Sequence, residues 1–205
     1  MWGSACVAAK SGNTGVFGGS FDPIHLGHLL IAQDACEAFG LDRVCFVPAA
    51  QSPLKSAAPG ASDAHRLGMV AAAIEDYPQF EALDIELTSG GISYTVGTTR
   101  QLRERFPDEE LYLIIGADQA AQLERWHDIE TLATMAQFLV VERPGFDTQA
   151  RPAHRIENLR LHHIDGHLFE ISSTEIRERV AAGQHIDFLV HPRVQQYIHK
   201  HQLYR

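Results

Sequence analysis

Short continuous apolar blocks alternate along this chain with longer segments in which apolar side chains recur every three or four positions. Val44-Cys45-Phe46-Val47, closed by Pro48, is such a block, as are Leu111 to Ile115 and Gln137 to Val141. Apolar runs without a polar alternate suit parallel strands covered on both faces. Thr14 to Gly19 forms the first strand of the series, Arg43 to Pro48 the second, Phe80 to Glu86 the third, and Leu159 to Ile164 a weaker sixth. Between them, Leu26 to Phe39 places Leu29, Leu30, Ala32, Ala35, Cys36 and Phe39 at helical spacing and stops at Gly40, a favoured residue just past a helix end. The same periodicity predicts helices over Ala64 to Asp76 (capped by Ser62 or Asp63), from the loop Thr88 to Thr95 on to Phe106, and from Gly116-Ala117-Asp118 toward Trp126. It also predicts Ile171 to Ala182, capped by Ser172 or Ser173 and ended at Gly183, and Pro192 to His201. Ala49 to Ser62 is rich in Ala, Pro, Ser and Gly and reads as a loop, and Arg143 to Asn158 as irregular chain.

Strands alternating with helices imply right-handed crossovers and a parallel sheet. The expected fold is α/β, a Rossmann-like doubly wound sheet with a C-terminal helical portion. The expected organisation is a loose extension over residues 1–13 followed by one domain over 14–205, a length ample for a single core. In such sheets ligands bind beyond the carboxyl ends of the strands, where the strand order reverses. The loops after the first four strands and the turn before Ser172 would gather there.

Composition narrows the partners. A formal net charge of −9 argues against a broad nucleic-acid surface, which needs a basic face, but not against a small anionic substrate met by a few placed cations. No apolar run is long enough to span a bilayer, and the opening residues lack the basic start and apolar core of a signal peptide. Cys6, Cys36 and Cys45 are odd in number and widely spaced, which points to neither a disulfide framework nor a zinc knuckle and makes the reduced cytoplasm the simplest home. His162, His163 and His167 with Asp165 fit no tight zinc pattern and read as surface or partly packed groups. Arg100, Arg103 and Arg105 read as the solvated face of a helix.

Two segments carry candidate chemistry. Gly15-Val16-Phe17-Gly18-Gly19-Ser20-Phe21-Asp22-Pro23-Ile24-His25-Leu26-Gly27-His28 reads as a strand end, a glycine turn and a helix start, with Asp22-Pro23 opening the helix. Gly18 and Gly19 let the main chain approach a phosphate closely, and amides at a helix start attract anions. His25 and His28, three apart, share one face of the first turn, and Gly27 leaves that face open. Ile171-Ser172-Ser173-Thr174-Glu175-Ile176-Arg177 is the second segment. Ser172 followed by Glu175 makes a capping box, and Arg177 lies one turn along from Ser173.

The stretch from Gly18 to Pro23 with His25-Leu26-Gly27-His28 resembles the signature of the nucleotidyltransferase superfamily, whose mark is a His-x-Gly-His tetrapeptide. Within it the chain most resembles the bacterial nicotinate-nucleotide adenylyltransferases, which join nicotinate mononucleotide to the AMP part of ATP. The tetrapeptide is shared with pantetheine-phosphate adenylyltransferases and cytidylyltransferases, so later segments narrow the choice. Ser172-Ser173-Thr174 with Arg177 matches the superfamily's phosphate loop. Lys55 stands where the family carries a basic residue in a Pro-Pro-His-Lys segment, although here the residues are Ser52-Pro53-Leu54-Lys55 and the His is replaced by Leu54. Ser93-Tyr94-Thr95 and Gly116-Ala117-Asp118 with Trp126-His127 resemble segments of the nicotinate-nucleotide enzymes in order and spacing. Their chemistry suits the substrate: Trp126 or Tyr94 offers a flat face to a pyridine ring, amides near Thr95 offer donors to its carboxylate, and Asp118 can accept from ribose hydroxyls.

The resemblance implies catalytic roles for His25, His28, Lys55 and Arg177. It implies ATP contacts from Gly18, Gly19, Ser20, Phe21, Gly27, Gly116, Asp118, Ser172, Ser173 and Thr174, and nicotinate-nucleotide contacts from Tyr94, Thr95, Trp126 and His127. Mg²⁺ would be held mainly by the ATP phosphates, with no protein metal site, and transfer would need no covalent nucleophile. The expected partners are ATP and nicotinate mononucleotide, with no nucleic-acid polymer and no membrane, in a monomer or a homodimer. Rival readings are an adenylyltransferase of the same fold acting on nicotinamide mononucleotide or pantetheine phosphate, and a non-catalytic nucleotide-binding module.

Overall fold

The computed structural model describes residues 12–50, 59–142, 155–167 and 169–205. Their elements run β1 (Asn13–Gly19), α1 (Leu26–Phe39), β2 (Arg43–Pro48), α2 (Asp63–Ile74), β3 (Phe80–Ala82), α3 (Ile85–Ser89), α4 (Thr95–Arg105), β4 (Glu110–Gly116), α5 (Ala117–Ala120), a single 3₁₀ turn at Leu123–Arg125, α6 (Ile129–Met135), β5 (Gln137–Glu142), β6 (Leu161–Asp165), α7 (Ser173–Ala181) and α8 (Pro192–Lys200). The six strands form one sheet in the order β3-β2-β1-β4-β5-β6, every pairing parallel. The order reverses between β1 and β4, so their carboxyl ends diverge around a crevice.

Strand side chains alternate between two cores, as a two-residue period requires. Phe17, Phe46, Tyr112, Ile114, Leu139 and Val141 face one side, with Ala32 and Ala35 of α1, Met69 and Val70 of α2, Ile176 of α7 and Ile198 of α8. Val16, Cys45, Val47, Leu113, Ile115, Phe138 and Val140 face the other, with Val96 and Leu102 of α4 and Leu132 of α6. Both faces are covered, which accounts for the uninterrupted apolar strands. The helix over residues 26–39 has the expected bounds and ends at Gly40, whose φ of 61° places it in the left-handed region where a Cβ is costly.

Four expectations are corrected. β3 is a three-residue edge strand, paired with β2 only from Val44↔Phe80 to Phe46↔Ala82. The chain then turns, Leu83 still donating to the Phe46 carbonyl, and residues 85–89 form α3, so Thr88 and Ser89 are helical rather than loop. Asp22-Pro23 does not open α1. His25 is the N-cap, and the Asp22 carboxylate is spent elsewhere. The helix after β4 lasts only four residues, and α6, absent from the sequence reading, begins after Asp128 adopts a left-handed φ of 52°. Finally, Arg103 is not part of a solvated face. It donates to the carbonyls of Met135 and Glu109 and so ties α4 to α6 and to the approach to β4.

Arg100 and Arg105 do lie at the surface, paired with Asp128 and Glu81. His162, His163 and His167 do not converge, since they bind Gln137, Glu142 and Asp34 respectively. Lys55 and most of the stretch 143–158 lie outside the described residues.

Candidate active site

The turn after β1 is built around two glycines with different neighbours. A Cβ on Gly18 would meet nothing within 4 Å, because that side opens into the crevice. A Cβ on Gly19 would come within 3.0 Å of the Phe21 ring. Phe21 itself is 1% exposed and lies beneath the turn, so its side chain shapes the loop and is not available to touch a nucleotide. Ser20 offers its carbonyl to Arg66, which is fully buried in α2 and donates Nη1 at 2.7 Å, while Nη2 meets Asp63 at 2.6 Å. The sequence reading did not single out Arg66. The available signal was its place on the apolar face of α2 with Met69, Val70 and Ala73, where an uncompensated charge is costly.

His25 and His28 stack with ring centroids 3.7 Å apart. The His25 amide donates to His28 Nδ1 at 3.2 Å, so that nitrogen carries no proton and His28 presents Nε2–H as a donor. His25 is 8% exposed, and its Nδ1 is buried without a partner. Burial lowers its pKa from 6.5 to about 4, which leaves it neutral at physiological pH. Gly27 makes room for this ring, since a Cβ there would sit 3.1 Å from His25 Nδ1. Among the first amides of α1, that of Leu26 already donates to the Leu189 carbonyl.

The late motif meets the early one. Ser173 Oγ donates to the Pro23 carbonyl at 2.9 Å, and Arg177 Nη1 to the Asp22 carbonyl at 2.8 Å. Arg177 also reaches Thr174 Oγ1 at 3.3 Å. Ser172 serves as the N-cap of α7, accepting from the Glu175 amide at 3.1 Å. The start of α7 and the approach to α1 are thereby pinned to each other, and the dipoles of both helices bias this corner toward anions.

On the other side of the glycine turn lies a cavity of about 360 Å³ at the carboxyl ends of β1 and β4. Its walls include Gly18, Gly19 and Ser20, the apolar strand ends Val16 and Ile115, and the group Tyr94, Thr95, Trp126 and His127. Tyr94 and His127 lie ring to ring at 4.3 Å, and Trp126 Nε1 is buried with no partner. Glu86, also in the wall and not anticipated, accepts from Thr98 Oγ1 at 2.5 Å. Asp118 is exposed at the start of α5, leaning over Gly116, where a Cβ would lie 2.7 Å from its Oδ1.

Among the described residues no group of three or more His, Cys, Asp or Glu converges in a way that could hold a metal. The Asp22 carboxylate, the acid nearest the two motifs, has both oxygens engaged: Oδ2 by the Gly60 amide (2.7 Å) and Arg177, Oδ1 by the Ala61 amide (3.0 Å) and the Tyr204 hydroxyl (2.8 Å). Burial pushes Cys36 up to about 11 and Cys45 up to about 12, so neither is a thiolate. What the corner and the cavity offer a ligand is donors, an aromatic wall and close access to backbone, a set suited to holding two phosphorylated molecules side by side.

The family model for cytidylyltransferase-like proteins matches residues 16–179. A probable nicotinate-nucleotide adenylyltransferase of Opitutus terrae is 49% identical over 93% of this chain and 97% of its own length. One from Shouchella clausii is 41% identical over 93% and 95%. Among solved structures, the Plasmodium falciparum nicotinic acid mononucleotide adenylyltransferase complexed with NaAD superposes with a TM-score of 0.71 at 22% identity, covering 94% of this chain and 97% of that one. No helix of the described residues is long and apolar enough to cross a membrane.

Proposed function

Because this chain belongs to the cytidylyltransferase-like family, and within it to the nicotinate-nucleotide adenylyltransferases, we propose that it transfers the AMP moiety of ATP to nicotinate mononucleotide, forming deamido-NAD and releasing pyrophosphate. It is an enzyme of the nucleotidyltransferase class acting in NAD synthesis. The observation that carries the reading is the junction at Gly18-Gly19-Ser20, which has the aromatic cavity on one side and the His25/His28/Arg177 corner on the other.

A phosphate oxygen of nicotinate mononucleotide attacks the α-phosphorus of ATP in line. A new P–O bond forms there as the bond to the bridging oxygen of the β-phosphate breaks, and the electron pair leaves with pyrophosphate. Catalysis of this kind rests on positioning and on stabilising charge as it spreads over the phosphate oxygens. His28 donates Nε2–H to the α-phosphate in the transition state. His25, neutral and stacked beneath it, fixes its plane. Arg177 and Lys55 hold the β and γ groups, with Gly18, Gly19, Ser20, Gly27 and the Ser172-Ser173-Thr174 helix start supplying close backbone. Gly116 and Asp118 bracket the ATP ribose. Trp126 and Tyr94 face the pyridine ring, and amides at Thr95 with His127 meet its carboxylate.

Mg²⁺ carried on the ATP phosphates would supply neutralisation of their charge. Asp22, with its oxygens already satisfied, does not serve as its ligand. The catalytic unit begins with β1, which takes in Asn13 and so starts one residue before the expected boundary at 14, residues 1–11 lie outside the described residues, and the enzyme works in the cytoplasm. The test is pyrophosphate release from ATP against nicotinate mononucleotide, nicotinamide mononucleotide and pantetheine phosphate. Turnover with the acid nucleotide at least tenfold above the other two is the expected result, and preference for either of the others overturns the assignment.

A further inference from the structure

The Asp22 carboxylate joins four parts of the chain that lie far apart in sequence. It sits in the turn after β1 and is only 4% exposed. It receives the amides of Gly60 and Ala61 just before α2, the guanidinium of Arg177 from α7, and the hydroxyl of Tyr204 from the turn that follows α8. Tyr204 holds a left-handed φ of 63°, a conformation that a bulky residue adopts when its surroundings fix it. Its hydroxyl also lies 3.9 Å from Met69 Sδ, inside the core shared by α2 and α8. Burial and the neighbouring Asp22 raise the phenol far above its ordinary range, so it stays a protonated donor at every working pH.

Arg177 has a long side chain with many rotamers, and it is about a third exposed. Three contacts restrict it: the Asp22 carbonyl at 2.8 Å, Thr174 Oγ1 at 3.3 Å and the Asp22 Oδ2 atom at 3.6 Å. The last is longer than a hydrogen bond. The carboxylate is held off by its own partners, and Tyr204 supplies one of the two donors on the opposite oxygen.

We propose that Tyr204 is a positioning residue for nucleotide binding: by fixing the Asp22 carboxylate, it keeps Arg177 aimed at the phosphate rim instead of collapsed onto Asp22. Without the hydroxyl, Oδ1 keeps only the Ala61 amide, and water has little access to replace the lost donor. The carboxylate is then free to rotate toward the guanidinium and close the 3.6 Å gap into a paired salt bridge. Arg177 would be withdrawn from the phosphates. This rests on the reading of the corner as an ATP site, but not on the identity of the acceptor.

The test is a double-mutant cycle read by calorimetric binding of ATP without acceptor, together with the KM values of both substrates. Tyr204→Phe is expected to weaken ATP binding about tenfold and to raise KM for ATP by the same factor. The KM for nicotinate mononucleotide should stay within twofold of the parent. In an Arg177→Ala background the same Tyr204→Phe change should leave ATP affinity unaltered. If Tyr204→Phe weakens ATP equally in both backgrounds, or lowers thermal stability while ATP binding stays at the parent value, the positioning role is wrong. Should Tyr204→Phe yield no folded protein, Asp22→Asn takes its place: its neutral amide cannot draw Arg177 into a salt bridge, so the variant should not show the tenfold loss of ATP affinity, and a loss that size, absent in the Arg177→Ala background, overturns the proposal. A parent enzyme that binds ATP but gives no product with the acid nucleotide would count against the function proposed above and leave this cycle readable.

Discussion

Replacing His25 by Asn should make the enzyme's stability less sensitive to acid. The imidazole is 8% exposed, and burial holds its pKa at about 4 in the native state against 6.5 in the unfolded chain. A depressed pKa on a basic group means that the unfolded chain binds the extra proton as pH falls between these values. The contribution is therefore complete above pH 6.5 and is lost progressively toward pH 4. Between pH 7.5 and pH 5 the linkage relation gives a loss of about 2 kcal/mol from this one group. Asn does not titrate and is among the best helix N-caps, so His25→Asn keeps the start of α1 while deleting the titration. Urea unfolding of parent and variant at the two pH values isolates the effect, because every other titrating group is common to both. The stability advantage of the parent over the variant should shrink by about 2 kcal/mol on going to pH 5. An advantage that stays constant to within about 0.5 kcal/mol would mean that His25 titrates as an open imidazole, and the description of a neutral, buried His25 beneath His28 would fail.

Three further outcomes are expected. Gly18→Ala should unfold within about 0.5 kcal/mol of the parent, because its methyl enters open crevice, yet raise KM for both nucleotides; Gly19→Ala should cost about 1–3 kcal/mol by pressing on the Phe21 ring, and urea unfolding with steady-state kinetics separates the two. Arg66→Met should cost about 1–3 kcal/mol in urea unfolding, the penalty of an orphaned Ser20 carbonyl, and not the larger loss of a severed buried ion pair, because Asp63 is 53% exposed and stays hydrated. His28→Ala should lower kcat about a hundredfold in a pyrophosphate-release assay with ATP affinity changed far less, the pattern of a donor used in the transition state.

β2, β4 and β5 were legible because their central residues are apolar on both faces. The bounds of α1 were legible because Gly40 ends it. What escaped the sequence was decided by partners distant along the chain. Residues 80–86 carry a strand-like pattern, but an edge position beside β2 supports only three paired residues, after which Asp84 and Ile85 turn into α3. Residues 129–135 lack a conventional cap, since α6 starts from a left-handed Asp128. Arg103 has the local surroundings of a solvated residue, and only the fold brings the Met135 carbonyl to it. The His and Ser-Ser-Thr motifs could be recognised one by one, whereas the contacts that join them, Ser173 to Pro23 and Arg177 to Asp22, use backbone carbonyls that no sequence pattern marks.

Those carbonyl contacts bear on how an acidic protein holds a polyanion. With a net charge of −9 the global field opposes ATP, so the favourable term must be local and already arranged before the ligand arrives. A lone Arg at the rim would spend much of its binding energy in losing rotamers, roughly 2 kcal/mol for so long a side chain. Anchoring one amino group of Arg177 on the Asp22 carbonyl settles that cost on folding, while a carbonyl, being neutral, does not cancel the charge. The Asp22 carboxylate would cancel it if it came closer, and three donors from two other segments keep it at 3.6 Å. The arrangement leaves a fixed cation only partly neutralised, beside the imidazole donor of His28. A carboxylate at this corner is therefore compatible with triphosphate binding only for as long as its other partners hold it back.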